Sequence, residues 1–150
     1  MAVDIFLSIL LAMLLGSLIG VERESANKPA GLRTNMLVAG AAAFIVHLAD
    51  LLAQRSMAEG AGDPLRVIEA VVTGVSFIGA GTILRRSEDL EVEGLTTAAT
   101  LLFTAALGMA VALGEPWLAA GLTALVIVTL RALGLVEKRI PKLQKDTERR

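Results

Sequence analysis

Five stretches of the chain carry no charged residue: 5–21, 34–49, 70–84, 94–114 and 116–130. Between them Asp, Glu, Lys and Arg gather in short clusters. A helix that crosses a membrane needs roughly 20 mostly apolar residues, and apolar neighbours extend the shorter stretches. The pattern predicts spans at about 3–21, 34–52, 67–84, 94–114 and 116–136, with Arg131 snorkelling from the fifth. Only Glu115 and Pro116 separate the last two, which implies a tight hairpin with Glu115 at the N-cap and Pro116 in the first helical position. Asp63 and Pro64 repeat that device before span three. The expected fold class is all-α, an integral membrane bundle of five transmembrane helices over 1–136. A short basic cytoplasmic tail, 137–150, follows it.

Composition agrees. Hydrophobic residues make up 55% of the 150 and charged residues 19%, and the mean hydropathy is +0.69; too little polar surface remains to cover the chain in water. Arginine and lysine then orient the bundle. Loop 22–33, loop 85–93 and the tail hold eleven of them, against Arg55 and Arg66 on the other side. The positive-inside rule places the N-terminus outside and the C-terminus in the cytoplasm. The outer side then carries Asp4, Asp50, Glu59, Asp63, Glu69 and Glu115. Ordinary solvated caps and loops explain much of this; the sharper reading makes Asp4, Asp50 and Glu69 an entry site for a metal cation.

Several function classes drop out. Aromatic residues are 3% and net charge is −1, which leaves no stacking platform or basic surface for nucleic acid. There is no cysteine and only one histidine, His47. No G-x-S-x-G, H-E-x-x-H or Walker A pattern occurs. The expectation is a non-enzyme with no evident cofactor, whose partners are the lipid bilayer, a second copy of the chain or another membrane protein.

Two groups of residues stand out as candidate sites. At the cytoplasmic mouth, Glu22 and Arg23 end span one, Arg33, Thr34 and Asn35 open span two, Arg85 ends span three, and Thr96 and Thr97 open span four. Free N–H groups at the starts of spans two and four call for caps from Thr34, Asn35, Thr96 or Thr97. Arg33, Arg85 and Arg86 have Glu22, Glu24 and the acids at 88–93 within sequence reach. A salt-bridged rim, an anion site and a docking face all fit this pattern. The second group is small residues. Gly16 and Gly20 form a GxxxG, which suits close helix packing or a homodimer. The run VVTGVSFIGAGTILRR (71–86) puts Gly74, Ser76, Gly79 and Gly81 into one helix as a contact surface for spans one, two or four. Its last turn, Gly79 to Arg85, is a candidate gating element.

A shift of 63 residues lays 16–43 on 79–106 with seven identities in 28 positions and no gap. Gly16 meets Gly79, Arg23 meets Arg86, and Gly31-Leu32-x-Thr34 meets Gly94-Leu95-x-Thr97. This predicts two similarly oriented hairpins in parallel repeat.

The segments Leu10–Arg23, Ala30–Val38, Gly74–Ile83 and Gly94–Thr100, in that order and spacing, resemble the MgtC/SapB family of bacterial inner-membrane proteins. The resemblance covers most of 4–136. It implies a role in adaptation to low Mg²⁺, and in pathogens survival inside macrophages and virulence. Ion transport and an inhibitory contact with the F-type ATP synthase are both attached to the family. Ser76 stands where the family usually has a second glycine, and Phe103 and Leu102 where members often carry Cys and Trp. No C-terminal regulatory domain, of the kind some members have, is expected in the 14 residues after 136. Two functions remain open: an ion-linked transporter or ion-binding protein, and a non-transporting regulator that works by helix contacts with a partner complex.

Overall fold

The structure is a computed structural model that describes residues 2–55, 63–85 and 92–139. Five helices make it up: α1 (Ala2–Ser25), α2 (Leu32–Arg55), α3 (Pro64–Thr82), α4 (Leu95–Ala112) and α5 (Pro116–Arg139). All five are long and apolar enough to cross a membrane. Two-residue strands β1 (Leu84–Arg85) and β2 (Val92–Glu93) pair antiparallel between α3 and α4, with Leu84 opposite Glu93.

Local chemistry sets the helix ends. Asp63 Oδ1 accepts the Leu65 N–H at 3.0 Å, and Pro64 opens α3 without needing a donor. α1 ends in a Schellman turn: Asn27 takes φ 53°, its N–H reaches the Glu24 carbonyl, and the Lys28 N–H reaches the Arg23 carbonyl. Before α5, Glu115 stands at the expected N-cap position: its carbonyl accepts the Ala119 N–H at 3.1 Å, the first bond of the helix, and Pro116 follows at the first helical position.

α4 is the central helix and touches the other four, whereas α1 and α2 form the most extensive pair. Buried positions are small: Ala12, Ala39, Ala42, Ala43, Ala105 and Ala119, with few large side chains among them such as Ile19, Leu101 and Leu107. The large side chains Phe6, Leu14, Phe44, Phe77, Phe103 and Leu125 point outward. A water-soluble protein sorts its residues the other way; here lipid wets the outer face, and association depends on close backbone approach. Glycines supply that approach. A Cβ on Gly16 would lie 2.6 Å from the Asn35 carbonyl oxygen, one on Gly20 2.6 Å from Leu32 Cα, and one on Gly108 2.2 Å from the Ala39 carbonyl oxygen. The GxxxG of α1 is therefore spent inside the chain, on α2, and does not serve a homodimer.

The run 71–86 divides differently from expectation. Of its expected contact residues Gly79 alone packs within the bundle, beside the buried Val71 and Val75, with a Cβ position 3.3 Å from Ala98 Cβ; Gly74 and Gly81 have open space before them, and Ser76 is exposed. One helix face cannot hold both Gly79 and Gly81, which lie about 200° apart. α3 ends at Thr82, short of the expected 84, and Ile83 beyond it is extended, so Gly79 to Arg85 is not one helical turn. Thr82 Oγ1 donates to the Gly79 carbonyl at 2.7 Å, and the Ile83 N–H reaches the Ala80 carbonyl.

The shift of 63 has a counterpart in the packing. α2 and α4 each begin at the Leu of Gly-Leu-x-Thr, and Gly16 lies against Asn35 where Gly79 lies against Ala98. The contact partners are thus related by the same shift as the glycines.

We expect Gly108→Ala to destabilise the bundle by about 1–3 kcal/mol, the range for overpacking, while Gly121→Ala, which faces open space, leaves thermal unfolding in detergent unchanged. Equal unfolding temperatures for the two variants would contradict this packing.

Candidate functional site at the two polar ends

At one end of the bundle, α1 finishes with charges that do not reach solvent. Glu22 and Arg23 are each 5% exposed, and Arg23 Nε donates to Glu22 Oε2 at 2.9 Å. The pair neutralises itself, which is the condition for keeping both charges out of water. Glu24 is exposed and turns to the next helix: its Oε2 accepts the Leu32 N–H at 3.0 Å. A carboxylate from α1 thereby caps α2, a role expected of Thr34.

Asn35 sits one turn into α2 and is fully buried. Its Nδ2 donates to the Ala30 carbonyl and, at 3.0 Å, to the Gly31 carbonyl. Its Oδ1 accepts the Thr104 hydroxyl of α4 at 2.8 Å. Sequence reading placed Asn35 at the helix entrance as a cap; it works inward, closing the 26–31 turn from beneath and tying α2 to α4. Thr104 had no place among the expected site residues. Its signal was the spacing Thr97, Thr100, Thr104, which puts three hydroxyls on one side of α4, all of them buried. Thr100 returns its hydroxyl to the Thr96 carbonyl at 2.7 Å.

The other mouth residues do not converge on this cluster. Arg33 and Thr96 are at the surface, and Arg33 forms no ion pair among the described residues. Thr97 is buried, yet α4 is capped by no side chain; Gly94 holds its N-cap in the left-handed region at φ 92°. A Cβ there would meet the Thr82 carbonyl oxygen at 2.0 Å, so the close approach of α3 to α4 requires glycine. Arg85 lies in β1, and Arg86 lies outside the described residues.

At the opposite end a cavity of about 340 Å³ opens between α1, α2 and the end of α4. Asp4, Ser8, His47, Asp50 and Gln54 supply its polar lining. Ser8 Oγ and His47 Nε2 share a hydrogen bond of 2.5 Å, and Gln54 Nε2 donates to Asp50 Oδ2 at 2.7 Å. The structure brings Asp4 and Asp50 to one cavity and leaves Glu69 on α3, outside it. Among the described residues, no group of three or more His, Asp or Glu converges to hold a metal ion.

Asn35→Ala removes three hydrogen bonds and strands the Thr104 hydroxyl. We expect it to lower stability by about 1–3 kcal/mol, and Thr104→Val by about 0.6–2 kcal/mol, the range of interhelical hydrogen bonds in membranes. Unfolding of each variant in detergent measures both, and a larger loss for Thr104→Val would reverse the assigned hub.

The fold and its polar ends can be set beside known proteins. Protein MgtC of Salmonella typhimurium (strain LT2) is 41% identical over 143 residues, covering 95% of this chain and 58% of the relative. An uncharacterized protein of Haemophilus influenzae is 36% identical over 138 residues, covering 89% and 57%. Protein MgtC of Brucella abortus (strain 2308) is 48% identical over 99 residues, covering 65% and 38%. The chain thus spans a little over half the length of the first two and less of the third. No solved structure matches it. The model of the MgtC family matches residues 9–139, nearly the whole bundle from α1 to α5, and the chain belongs to that family.

Proposed function

We propose that the chain serves in adaptation to low magnesium as a non-transporting regulator in the bacterial inner membrane, working through helix contacts with a membrane partner complex. The magnesium role follows from the family. The interior of the bundle carries the choice between regulator and transporter. Its buried polar side chains are the neutral Asn35, Thr97, Thr100, Thr104 and Thr123 and the self-neutralised pair Glu22–Arg23. Mg²⁺ gives up its water reluctantly and is met by carboxylates in near-octahedral array. Among the described residues the one buried carboxylate, Glu22, is already matched by the adjacent Arg23 guanidinium, so the interior offers little to replace the ion's hydration shell. The partner class suggested by the family is the F-type ATP synthase. The Lys and Arg distribution supports an inside location for the Glu22 end and an outside location for the Asp4 end.

One observation favours ion binding as a second reading: the cavity that collects Asp4, His47 and Asp50. The two readings separate in one pair of measurements. In liposomes the purified chain is expected to give no Mg²⁺ flux above protein-free vesicles. In cells that depend on the chain for growth at low Mg²⁺, Asp4→Asn combined with Asp50→Asn is expected to grow as the parent does. Flux, or loss of growth in the double variant, assigns the function to ion handling instead.

A further inference from the structure

The shift of 63 residues relates α1 to α3 and α2 to α4, so the two hairpins can be compared tie by tie. The first is fastened at both ends. Ser8 of α1 and His47 of α2 share a hydrogen bond near the Asp4 end. At the Glu22 end, Gly20 lets α1 reach the Leu32 backbone and the Asn35 amide closes the turn. In the second hairpin the equivalents of Ser8 and His47 are Val71 and Ala110, and those of Gly20 and Asn35 are Ile83 and Ala98. None of these can make the tie: three lack a polar side chain where one is needed, and the side chain of Ile83 bars a backbone contact. Among the described residues, no side-chain hydrogen bond or ion pair joins α3 to another helix; the bonds of Asp63 and Thr82 stay within its own ends. The packing of α3 is also uneven along its length. At the Thr82 end, Gly94 brings the start of α4 against the Thr82 carbonyl, and Gly79 sits on Ala98 one turn before. Towards Pro64 only Val71 and Val75 are buried, in one cluster with Val38 and Ala42 of α2 and Leu101 and Ala105 of α4. No residue from Pro64 to Ala70 is buried.

We propose that α3 is the moving part of the bundle, a strap that pivots at Gly94 and swings its Pro64 end away from α2 and α4. Apolar contact alone is a weak fastener in a membrane, because lipid tails solvate a valine about as well as a helix does, and only close packing is given up when it leaves. Opening therefore breaks no side-chain hydrogen bond between helices and separates no ion pair among the described residues, while the backbone bonds inside α3 stay made. It uncovers the seam between α2 and α4 at Val38, Ala42, Leu101 and Ala105. Val38 and Leu101 lie one turn from Asn35 and Thr104, whose hydrogen bond joins α2 to α4 and survives the swing. The α1–α2 hairpin, pinned at both ends, moves as one body with α4. A segment held by few buried contacts at one end and by close backbone approach at the other opens locally before the whole fold does. The inference goes beyond the regulatory reading and does not depend on it.

The chain has no cysteine, so pairs of introduced cysteines carry spin labels without background. In the full chain in lipid nanodiscs, pulsed dipolar distances between Arg66→Cys on α3 and Leu52→Cys on α2 are expected to show a second, longer population. The pair Val3→Cys and Leu52→Cys, across the first hairpin, is expected to show one population, as is Ile83→Cys with Leu37→Cys beside the pivot. All five positions are exposed, so the labels sit outside the packing, and unchanged thermal unfolding checks this. Val75→Ala thins the contact that holds the strap closed. It is expected to enlarge the longer population between 66 and 52 and to leave the other two pairs as they are. A single population between 66 and 52, an equal second population in either other pair, or no response to Val75→Ala each overturns the proposal.

Discussion

The whole bundle hangs on the approach of α1 to α2 at Gly16, where no side chain separates the glycine from the Asn35 backbone carbonyl. In lipid, burial of apolar surface gives helices no reason to associate, so dispersion between closely set backbones and hydrogen bonds across helices must do it. Asn35 takes part in both. Its backbone forms the floor on which Gly16 rests, and its side chain runs the other way to Thr104. Three helices are therefore placed by one residue. Gly108 of α4, where an added Cβ would lie 2.2 Å from the Ala39 carbonyl oxygen one turn further along α2, holds α2 and α4 together at a second level.

The polar groups follow the same economy. A buried Glu or Arg alone at the edge of a membrane would cost several kcal/mol. As sequence neighbours Glu22 and Arg23 cancel within a single turn, and no partner helix is needed to make the ion pair. Glu24, one residue on, remains at the surface and so is available to the first N–H of α2. The three consecutive charges that end α1 thus have two separate tasks, one of neutrality and one of capping.

Much of this was legible in the sequence. Charge-free stretches mark the five helices, because a charge at the centre of a span is costly enough to be excluded. GxxxG at 16–20 marks a close approach, and Asp63-Pro64 marks a helix start. The direction of each contact was not legible. Gly79 packs inward and Gly74 and Gly81 face out, because which side of α3 meets α4 depends on helices remote in sequence. Asn35 reads as a cap by position, yet its amide turns under the preceding loop; Thr104, 69 residues away, is what decides it. Glu24 as a cap for α2 depends on the left-handed residues Asn27 and Ala30; asparagine is a frequent left-handed residue, but alanine at 30 gives no sign of one. Asp4 and Asp50 share a cavity because the α1–α2 hairpin aligns their helix ends, while Glu69 belongs to a helix placed elsewhere by α4.

The Glu24 cap also bears on the order in which the bundle is made. Synthesis proceeds from the N-terminus, and everything that closes the α1–α2 turn lies between Gly16 and Ala39: the Schellman turn, the carboxylate on Leu32, the Asn35 amide on the 30–31 carbonyls. None of these contacts draws on a residue of α4. Asn35 Oδ1 is the exception. Its partner is a hydroxyl 69 residues downstream, so the α1–α2 hairpin closes its own turn yet leaves one acceptor that only α4 satisfies.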